Sequence, residues 1–274
     1  MSFSKSLSSS ELLPDHCKST AVLFVYSSNQ HERTRPTAFD LEAATALLFD
    51  LWDQASLGDA QVHAANSWYQ EGGRDRAEGQ AQLLQHMRAL KFLCVDTLQQ
   101  PLDPQLLKRA FAILMDGAVT AEGAAISKDF RTTGASVMTG HVYMQPDLVP
   151  QAVDKCLQGL SRSLSSARAL GAQGLLAGPE IAARAFYELI HQIHPFVNGN
   201  GRLGTLLIAR ILMSLGAPFP LPLLNGHTKP HKHYQHVIAH YARHQHPIRL
   251  RLFILDCLHF RWADFSRFAA ASVE

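Results

Sequence analysis

The stretch His191–Arg210 reads HQIHPFVNGNGRLGTLLIAR, and its centre is polar and glycine-rich while both of its flanks are apolar. Apolar residues recur at helical spacing before this centre, from Pro179, and after it, as far as Gly216. A helix that is apolar on most sides is buried in a protein core. The sequence therefore predicts two buried helices joined by a polar loop, His194–Arg202.

The residue types in this loop suit chemistry on a phosphate ester. Gly199 and Gly201 allow a tight turn and a close approach of the backbone to a ligand. The following helix begins beside them, and the unpaired N–H groups of a helix start bind anions. Arg202 adds a fixed positive charge, and His194 can accept a proton near neutral pH. The alternative, from composition alone, is a helix–helix turn in which Asn198 and Gly199 end the first helix.

The order HPFVNGNGRLGT over residues 194–205 resembles the motif of Fic-domain proteins, His-Pro-Phe-x-Asp/Glu-Gly-Asn-Gly-Arg-x-x-Arg. Two positions differ. Asn198 replaces the usual acidic metal ligand, although Asn also occurs there in the wider Fic/Doc group, and Thr205 replaces the second arginine. The match is long and ordered, so the resemblance favours a functional loop over a simple turn. It implies an all-α, mainly helical Fic-type fold with a small β-hairpin flap.

The resemblance also implies a reaction, the transfer of AMP from ATP to a hydroxyl side chain of a target protein. His194 would be the general base that takes the proton of the hydroxyl. Arg202 would neutralise the far end of the phosphate chain, while Mg²⁺ would bridge phosphate oxygens with Asn198 as a weak ligand. Backbone N–H groups would cradle the phosphates at Gly199, Asn200 and Gly201.

A short motif near the N-terminus, Ser28-x-x-x-Glu32, permits two interpretations. Locally it is a capped turn. It also resembles the inhibitory-helix pattern Ser/Thr-x-x-x-Glu-Gly/Asn of many Fic proteins, although Arg33 departs from the last position. That resemblance implies that Glu32 projects towards Arg202 and blocks productive ATP placement. Because Thr205 replaces the arginine that usually pairs with such a glutamate, the inhibitory contact of Glu32 is expected to be weak.

Glycines and β-prone residues alternate over 131–143, which predicts a hairpin. The simple interpretation is an ordinary surface hairpin. In Fic proteins the corresponding segment is a flap near the active loop that holds the target by strand pairing. The resemblance therefore assigns target binding to a flap at Val137, Met138, Thr139 and Gly140.

Composition divides the chain into three parts. Residues 1–20 are serine-rich and are expected to form a flexible leader. Residues 21–115 form an N-terminal helical region that carries the inhibitory-helix motif, with a glycine-rich loop over 58–79 and helices over 37–56, 81–98 and 103–115. Residues 116–274 form the Fic core with its C-terminal helices, and a linker is expected over 171–178.

The overall composition excludes several classes of protein. A formal net charge of +2 on 274 residues gives no electrostatic footprint for nucleic acid. No apolar run spans a bilayer and no signal peptide is present, which predicts a cytoplasmic protein, with non-classical secretion of an effector still open. The four cysteines form no CxxC pair and are expected to be reduced, mostly as small core residues.

Seven histidines lie between His227 and His246, and three of them share one helical face at i, i+4 and i+8. A solvated histidine face is the favoured interpretation, because no HExxH motif or carboxylate cluster accompanies the histidines. A zinc site is the alternative. The oligomeric state is left open, with a homodimer as one candidate, because many Fic proteins pair through helical surfaces.

Three functions follow from the sequence. The first is a protein adenylyltransferase, autoinhibited by Glu32. The second is another transferase on the same fold, which would be a Doc-like kinase or an enzyme that transfers UMP or phosphocholine. The third is a nucleotide-binding scaffold whose loop has lost activity at Asn198 and Thr205. The retained His194 argues against a scaffold, because a scaffold needs no base.

Overall fold

The computed structural model describes residues 9–31, 74–118, 125–136, 142–224, 230–244 and 246–271. These ranges contain eight α-helices: α1 (Ser9–His31), α2 (Arg74–Lys91), α3 (Pro104–Leu114), α4 (Val149–Arg168), α5 (Gly174–Phe186), α6 (Asn200–Ser214), α7 (Pro230–His244) and α8 (Ile248–Ala271). Two π-helical segments, Phe92–Asp96 and Tyr187–Ile193, continue α2 and α5. Short 3₁₀ turns at Pro146–Leu148 and Gly171–Gln173 precede α4 and α5. The predicted all-α class is confirmed.

Helix α6 lies at the centre of the fold, as its apolar sequence predicts. Every residue from Arg202 to Leu212 is buried. The helix packs against α5, the two π-helical segments, α2 and α1, while α4 and α8 cover the other sides of α5. The start of α6 is therefore held from several directions, and the polar loop before it is attached to the most buried helix of the described chain.

A glycine sets the close approach between α6 and the helix before it. A Cβ atom at Gly204 would lie 2.4 Å from Cε2 of Phe186 and 2.9 Å from Cγ1 of Ile190. Such distances leave no room for a methyl group between the backbone of α6 and the side chains of Phe186 and Ile190. The glycine is therefore a packing requirement in the middle of a helix, where its backbone freedom is otherwise unfavourable.

The expected flexible leader differs from the structure, because α1 begins at Ser9. The side chains of His16 and Thr20 are buried, and Thr20 donates its hydroxyl proton to the carbonyl of His16 at 2.7 Å. The ring of His16 lies 5.2 Å from that of Phe219. Contacts with distant parts of the chain thus stabilise a helix that the serine-rich composition does not predict.

Two further boundaries are shifted. The predicted loop over 58–79 ends earlier, because α2 begins at Arg74. The predicted linker over 171–178 is mostly helical, because α5 begins at Gly174 and contains Pro179 in its interior. Pro179 is the sixth residue of α5, beyond the first turn, so it removes one hydrogen bond from the interior of the helix. The helix predicted over 37–56 lies outside the described residues.

The predicted hairpin appears only as a trace in the described residues. Ser136 and Val142 form one antiparallel bridge, and the N–H of Tyr143 donates to the carbonyl of Ala135 at 3.1 Å. No extended strand is present in the parts of the chain that the structure covers. The flap residues Val137, Met138, Thr139 and Gly140 lie outside the described residues.

The cysteine prediction agrees with the structure. All four thiols are free, and three of them are buried at Cys94, Cys156 and Cys257. Burial raises the pKa of the Cys94 and Cys156 thiols to about 12, so neither is a nucleophile at neutral pH. Among the described helices, none is long and apolar enough to cross a membrane.

The packing at Gly204 generates a prediction with a matched control. Gly204→Ala should lower the free energy of unfolding by about 2 kcal/mol, because the added methyl group overpacks the α5–α6 contact. Gly159→Ala lies inside α4, where a Cβ would meet only Arg162 Nη2 at 3.9 Å. That control should raise the free energy of unfolding by roughly 0.5–1 kcal/mol through helix propensity. Urea unfolding measures both, and equal changes would contradict the packing explanation.

Candidate active site

The polar loop begins with a left-handed residue, His194, whose φ is 53°. Its N–H donates to the carbonyl of Leu189 at 2.9 Å, which closes the π-helical segment. A non-glycine residue in this conformation costs about 1 kcal/mol. The chain therefore changes direction sharply at the one residue that sequence analysis assigns as a base.

The imidazole of His194 has a defined tautomer. Its Nδ1 lies 3.0 Å from the carbonyl oxygen of Ile190. A carbonyl oxygen only accepts hydrogen bonds, so Nδ1 carries the proton and the lone pair of the neutral ring is on Nε2. The half-buried ring stacks on Tyr143, with centroids 3.8 Å apart and planes 14° apart. This is the tautomer and the orientation that a proton acceptor at Nε2 needs.

The loop is fastened to the core by Phe196 and closed by Asn200. The Phe196 ring is fully buried and stacks on Phe111 at 3.6 Å. The Asn200 amide accepts from the Phe196 N–H at 3.1 Å and donates to the Phe196 carbonyl at 2.7 Å. The side chain of Asn200 is thus used inside the loop, and only its backbone N–H is available for the predicted phosphate contact.

Gly199 supplies the second left-handed turn, with φ of 73°, directly before α6. A Cβ atom there would lie 2.6 Å from the sulfur of Met115. The Leu203 N–H donates back to the Gly199 carbonyl at 3.0 Å and starts the helical ladder. The N–H groups of Asn200, Gly201 and Arg202 precede that first bond, so the helical ladder itself provides them with no acceptor. In many proteins, N–H groups at this position of a helix bind anions.

Arg202, the predicted phosphate cation, is only 5% exposed. Its Nη1 donates to Gln82 of α2 at 3.3 Å, and its Nη2 lies 3.3 Å from the sulfur of Met115. The structure therefore places the guanidinium beside the start of α6, as predicted, but covers it with neighbouring side chains. A phosphate group would reach it only if this cover changes.

The end of α1 lies against the first turns of α6. Ser28 and Thr205 are joined by a hydrogen bond of 2.7 Å between their hydroxyl oxygens. Thr205 donates its only hydroxyl proton to the carbonyl of Arg202 at 2.8 Å, so Ser28 is the donor to Thr205. Ser28 thus contacts the position at which the resembled motif has its second arginine. The predicted inhibitory residue Glu32 lies outside the described residues.

Next to this contact, α1 and α2 are joined by a fully buried histidine. The Asn29 amide nitrogen donates to Nδ1 of His86 at 3.0 Å and to the carbonyl of Val25 at 2.8 Å. Burial, and secondly the positive charge of Arg202, hold the pKa of His86 well below its usual range. His86 is therefore neutral in the folded protein near neutral pH.

Arg131 is a residue of the site that sequence reasoning missed. Its guanidinium is 2% exposed and donates to four backbone carbonyls: those of His194 at 2.7 Å, Ile193 at 3.1 Å, Thr133 at 2.8 Å and Met144. Its N–H also donates to the carbonyl of Pro195 at 2.9 Å. The signal available in the sequence was an arginine between Phe130 and a run of small polar residues, which does not indicate contacts 63 residues away.

The predicted metal ligand, Asn198, lies at the exposed side of the loop. Asn198 is exposed, and its Oδ1 accepts the N–H of Gly199 at 2.7 Å. The described residues contain no group of three histidine, cysteine or carboxylate side chains that could hold a metal ion. The described histidines of α7 therefore form no such group, and His227 lies outside the described residues.

Comparisons with known proteins agree with this geometry. Residues 101–212 match the sequence profile of the Fic/DOC family. A Fido domain-containing protein of Dictyostelium discoideum is 27% identical over 146 residues, which cover 53% of this chain and 92% of that protein. The protein adenylyltransferases Fic of Aedes aegypti and Culex quinquefasciatus are each 43% identical over 56 residues, or 20% of this chain. This match spans only 10% of the length of either adenylyltransferase.

Solved structures show the same fold. A Fic family protein from Desulfovibrio desulfuricans G20 has a TM-score of 0.60 at 18% identity, with 94% of this chain and 68% of that chain covered. Fic-1 (residues 134–508) from C. elegans has a TM-score of 0.53 at 17% identity, with 95% of this chain and 73% of that chain covered. The helical arrangement around the loop is therefore shared with Fic proteins.

The buried His86 predicts a pH dependence of stability. The unfolded chain takes up a proton near pH 6.5, whereas the folded state keeps His86 neutral, so the stability present above pH 6.5 is lost as the pH falls below that value. Urea unfolding at pH 7.5 and at pH 5.5 measures the loss. His86→Phe should lose less stability between these pH values than the unaltered chain, because its ring cannot titrate. Equal losses in both proteins would contradict the assignment.

Proposed function

The chain belongs to the Fic/DOC family, and on this premise we propose that it is a transferase that moves AMP from ATP to a hydroxyl side chain of a target protein. The observation that carries the proposal is the pairing of an oriented base with an anion-binding helix start. His194 presents Nε2 as its proton acceptor, and it lies six residues before the first N–H groups of α6. The likeness to the adenylyltransferases of two mosquitoes supports AMP as the transferred group.

The reaction uses these groups in order. Nε2 of His194 takes the proton of a serine, threonine or tyrosine hydroxyl as its oxygen bonds to the α-phosphorus of ATP. The bond from the α-phosphorus to the bridging oxygen breaks, and pyrophosphate leaves with the electron pair. Negative charge that grows on the phosphate oxygens is stabilised by the N–H groups at Asn200, Gly201 and Arg202. The target protein keeps the AMP group as a phosphodiester.

Among the described side chains of the loop, Asn198 alone does not suit magnesium as an ion held by the protein. Asn198 offers one neutral oxygen that already accepts a hydrogen bond, whereas Mg²⁺ prefers charged oxygen ligands. We propose that Mg²⁺ arrives with ATP as part of the substrate and keeps phosphate and water as its ligands. No step assigned to this chain depends on the ion.

Autoinhibition by Glu32 is part of the proposal. Ser28 is hydrogen-bonded to Thr205, so α1 already approaches the first turns of α6. Glu32 is the residue that follows the described end of α1, one turn after Ser28 in sequence. The guanidinium of Arg202 is covered, which is the expected condition of a restrained site. A carboxylate near that guanidinium would compete with phosphate for the same positive charge.

The transfer reaction is tested with ATP labelled at the α-phosphate or at the γ-phosphate, incubated with candidate target proteins. We expect transfer of the α label only, and its loss by at least about a hundredfold in His194→Ala, because the base is removed. Autoradiography of the separated proteins measures the transfer. Transfer of the γ label would indicate a Doc-like kinase. Binding of ATP without transfer of either label would favour a scaffold, once UMP and phosphocholine donors have also been tried.

Autoinhibition by Glu32 is tested with Glu32→Gly and the matched variant Glu32→Gln, which keeps the side-chain length and removes only the charge. Both should raise the rate of AMP transfer by about fivefold or more, since a coupling of this kind is typically worth 1–3 kcal/mol. Initial rates and ATP affinity by calorimetry measure the effect. If neither variant changes the rate of AMP transfer or the affinity for ATP, Glu32 does not inhibit the enzyme.

A further inference from the structure

The ring that stacks on His194 belongs to Tyr143, a residue with no role in the reaction as described. We propose that Tyr143 is a positioning residue that fixes the ring plane of His194 and so keeps its Nδ1–H on the carbonyl of Ile190. This inference rests on the proposed function of His194 as the base. It assigns no proton transfer to Tyr143 itself, and it predicts that the aromatic face matters while the phenolic hydroxyl does not.

The two rings form a close, nearly parallel pair. Their centroids are 3.8 Å apart and their planes differ by 14°. Tyr143 is buried, with 9% of its surface exposed. A ring held face to face cannot turn about its Cβ–Cγ bond without losing this contact. The stack therefore restrains the ring plane, while the hydrogen bond from Nδ1 to Ile190 selects which nitrogen faces away.

The backbone on both sides of Tyr143 is anchored. Its own N–H donates to the carbonyl of Ala135 at 3.1 Å, across the base of the predicted flap. The next N–H, from Met144, donates to the carbonyl of Gln192 at 3.2 Å, in the π-helical segment before His194. Tyr143 thus lies in a short segment that pairs with the flap on one side and with the active loop on the other.

Arg131 fixes the distance between this segment and the loop. One buried guanidinium donates to the carbonyls of His194, Ile193 and Met144. The two peptide groups on either side of the left-handed His194 are therefore held by the same side chain that holds the residue after Tyr143. Because all these acceptors share one planar group, a shift of the flap base would move the stacking ring relative to the imidazole.

Mere packing is the competing explanation, in which Tyr143 only fills space beside the loop. The two explanations differ in what they require of the side chain. Positioning by stacking needs a flat aromatic face, so Tyr143→Phe should behave like the unaltered chain. Filling of space needs only volume, so Tyr143→Leu and Tyr143→Met should also be accepted. A second stacked pair, Tyr187 on His191 at 6.5 Å, provides the matched control, because neither residue is assigned to the reaction.

The test combines NMR of the ¹⁵N-labelled imidazole rings with transfer kinetics on Tyr143→Phe, Tyr143→Leu, Tyr143→Met and Tyr187→Leu. Signals of His194 are assigned by their loss in His194→Gln. We expect a single Nδ1–H tautomer in the unaltered chain, in Tyr143→Phe and in Tyr187→Leu. We expect a mixture of tautomers in Tyr143→Leu and Tyr143→Met, with kcat lower by about tenfold and KM for ATP unchanged.

The NMR result is independent of any activity, so a failure of the proposed AMP transfer leaves it interpretable. Thermal unfolding first establishes which variants are folded, and Tyr143→Met serves if Tyr143→Leu does not fold. A pure Nδ1–H tautomer and an unchanged kcat in either folded aliphatic variant would overturn the proposal. A mixed tautomer in Tyr143→Phe would also overturn it, because the hydroxyl would then be the required group.

Discussion

The structure of the site depends on one constraint, the left-handed backbone at His194. A side chain there disfavours this conformation, yet the sharp turn is what separates the π-helical segment from the loop before α6. Contacts on every side hold it. The N–H of His194 bonds back to Leu189, Arg131 binds the carbonyls on either side of the residue, and the imidazole bonds to Ile190. The strain is thus offset by several hydrogen bonds that exist only in this geometry.

The same arrangement links the site to distant parts of the chain. The start of α6 carries the N–H groups that are proposed to bind phosphate, and α1 contacts this start through Ser28 and Thr205. Thr205, which replaces the second arginine of the Fic motif, has a structural role here. Its hydroxyl accepts a hydrogen bond from Ser28, which an arginine side chain could not accept. The segment that holds Arg131 and Tyr143 contacts His194 through a hydrogen bond and a stacked ring. Helix α1 and this segment therefore both contact residues at the two ends of the loop.

Helical periodicity was enough to predict the buried helix α6 and the loop before it, because these features follow from local spacing of residues. The all-α class was predicted from the resemblance to Fic proteins. The motif predicts roles for His194, Gly199 and Arg202, and the structure places the last two beside Met115. The missed features depend on contacts between residues far apart in sequence. The early start of α1 rests on packing of His16 against Phe219, and the role of Arg131 rests on carbonyls of the loop. No local pattern in the sequence carries those contacts.

The proposed reaction requires that the N–H groups at the start of α6 bind the phosphates of a nucleotide beside His194. Titration of the ¹⁵N-labelled protein with Mg·ATP, followed by NMR of the backbone amides, measures this binding. We expect the largest shifts at the amides of Asn200, Gly201 and Arg202. Saturable binding of ATP that leaves these three amides unshifted, with changes confined to residues outside the loop and α6, would contradict this requirement.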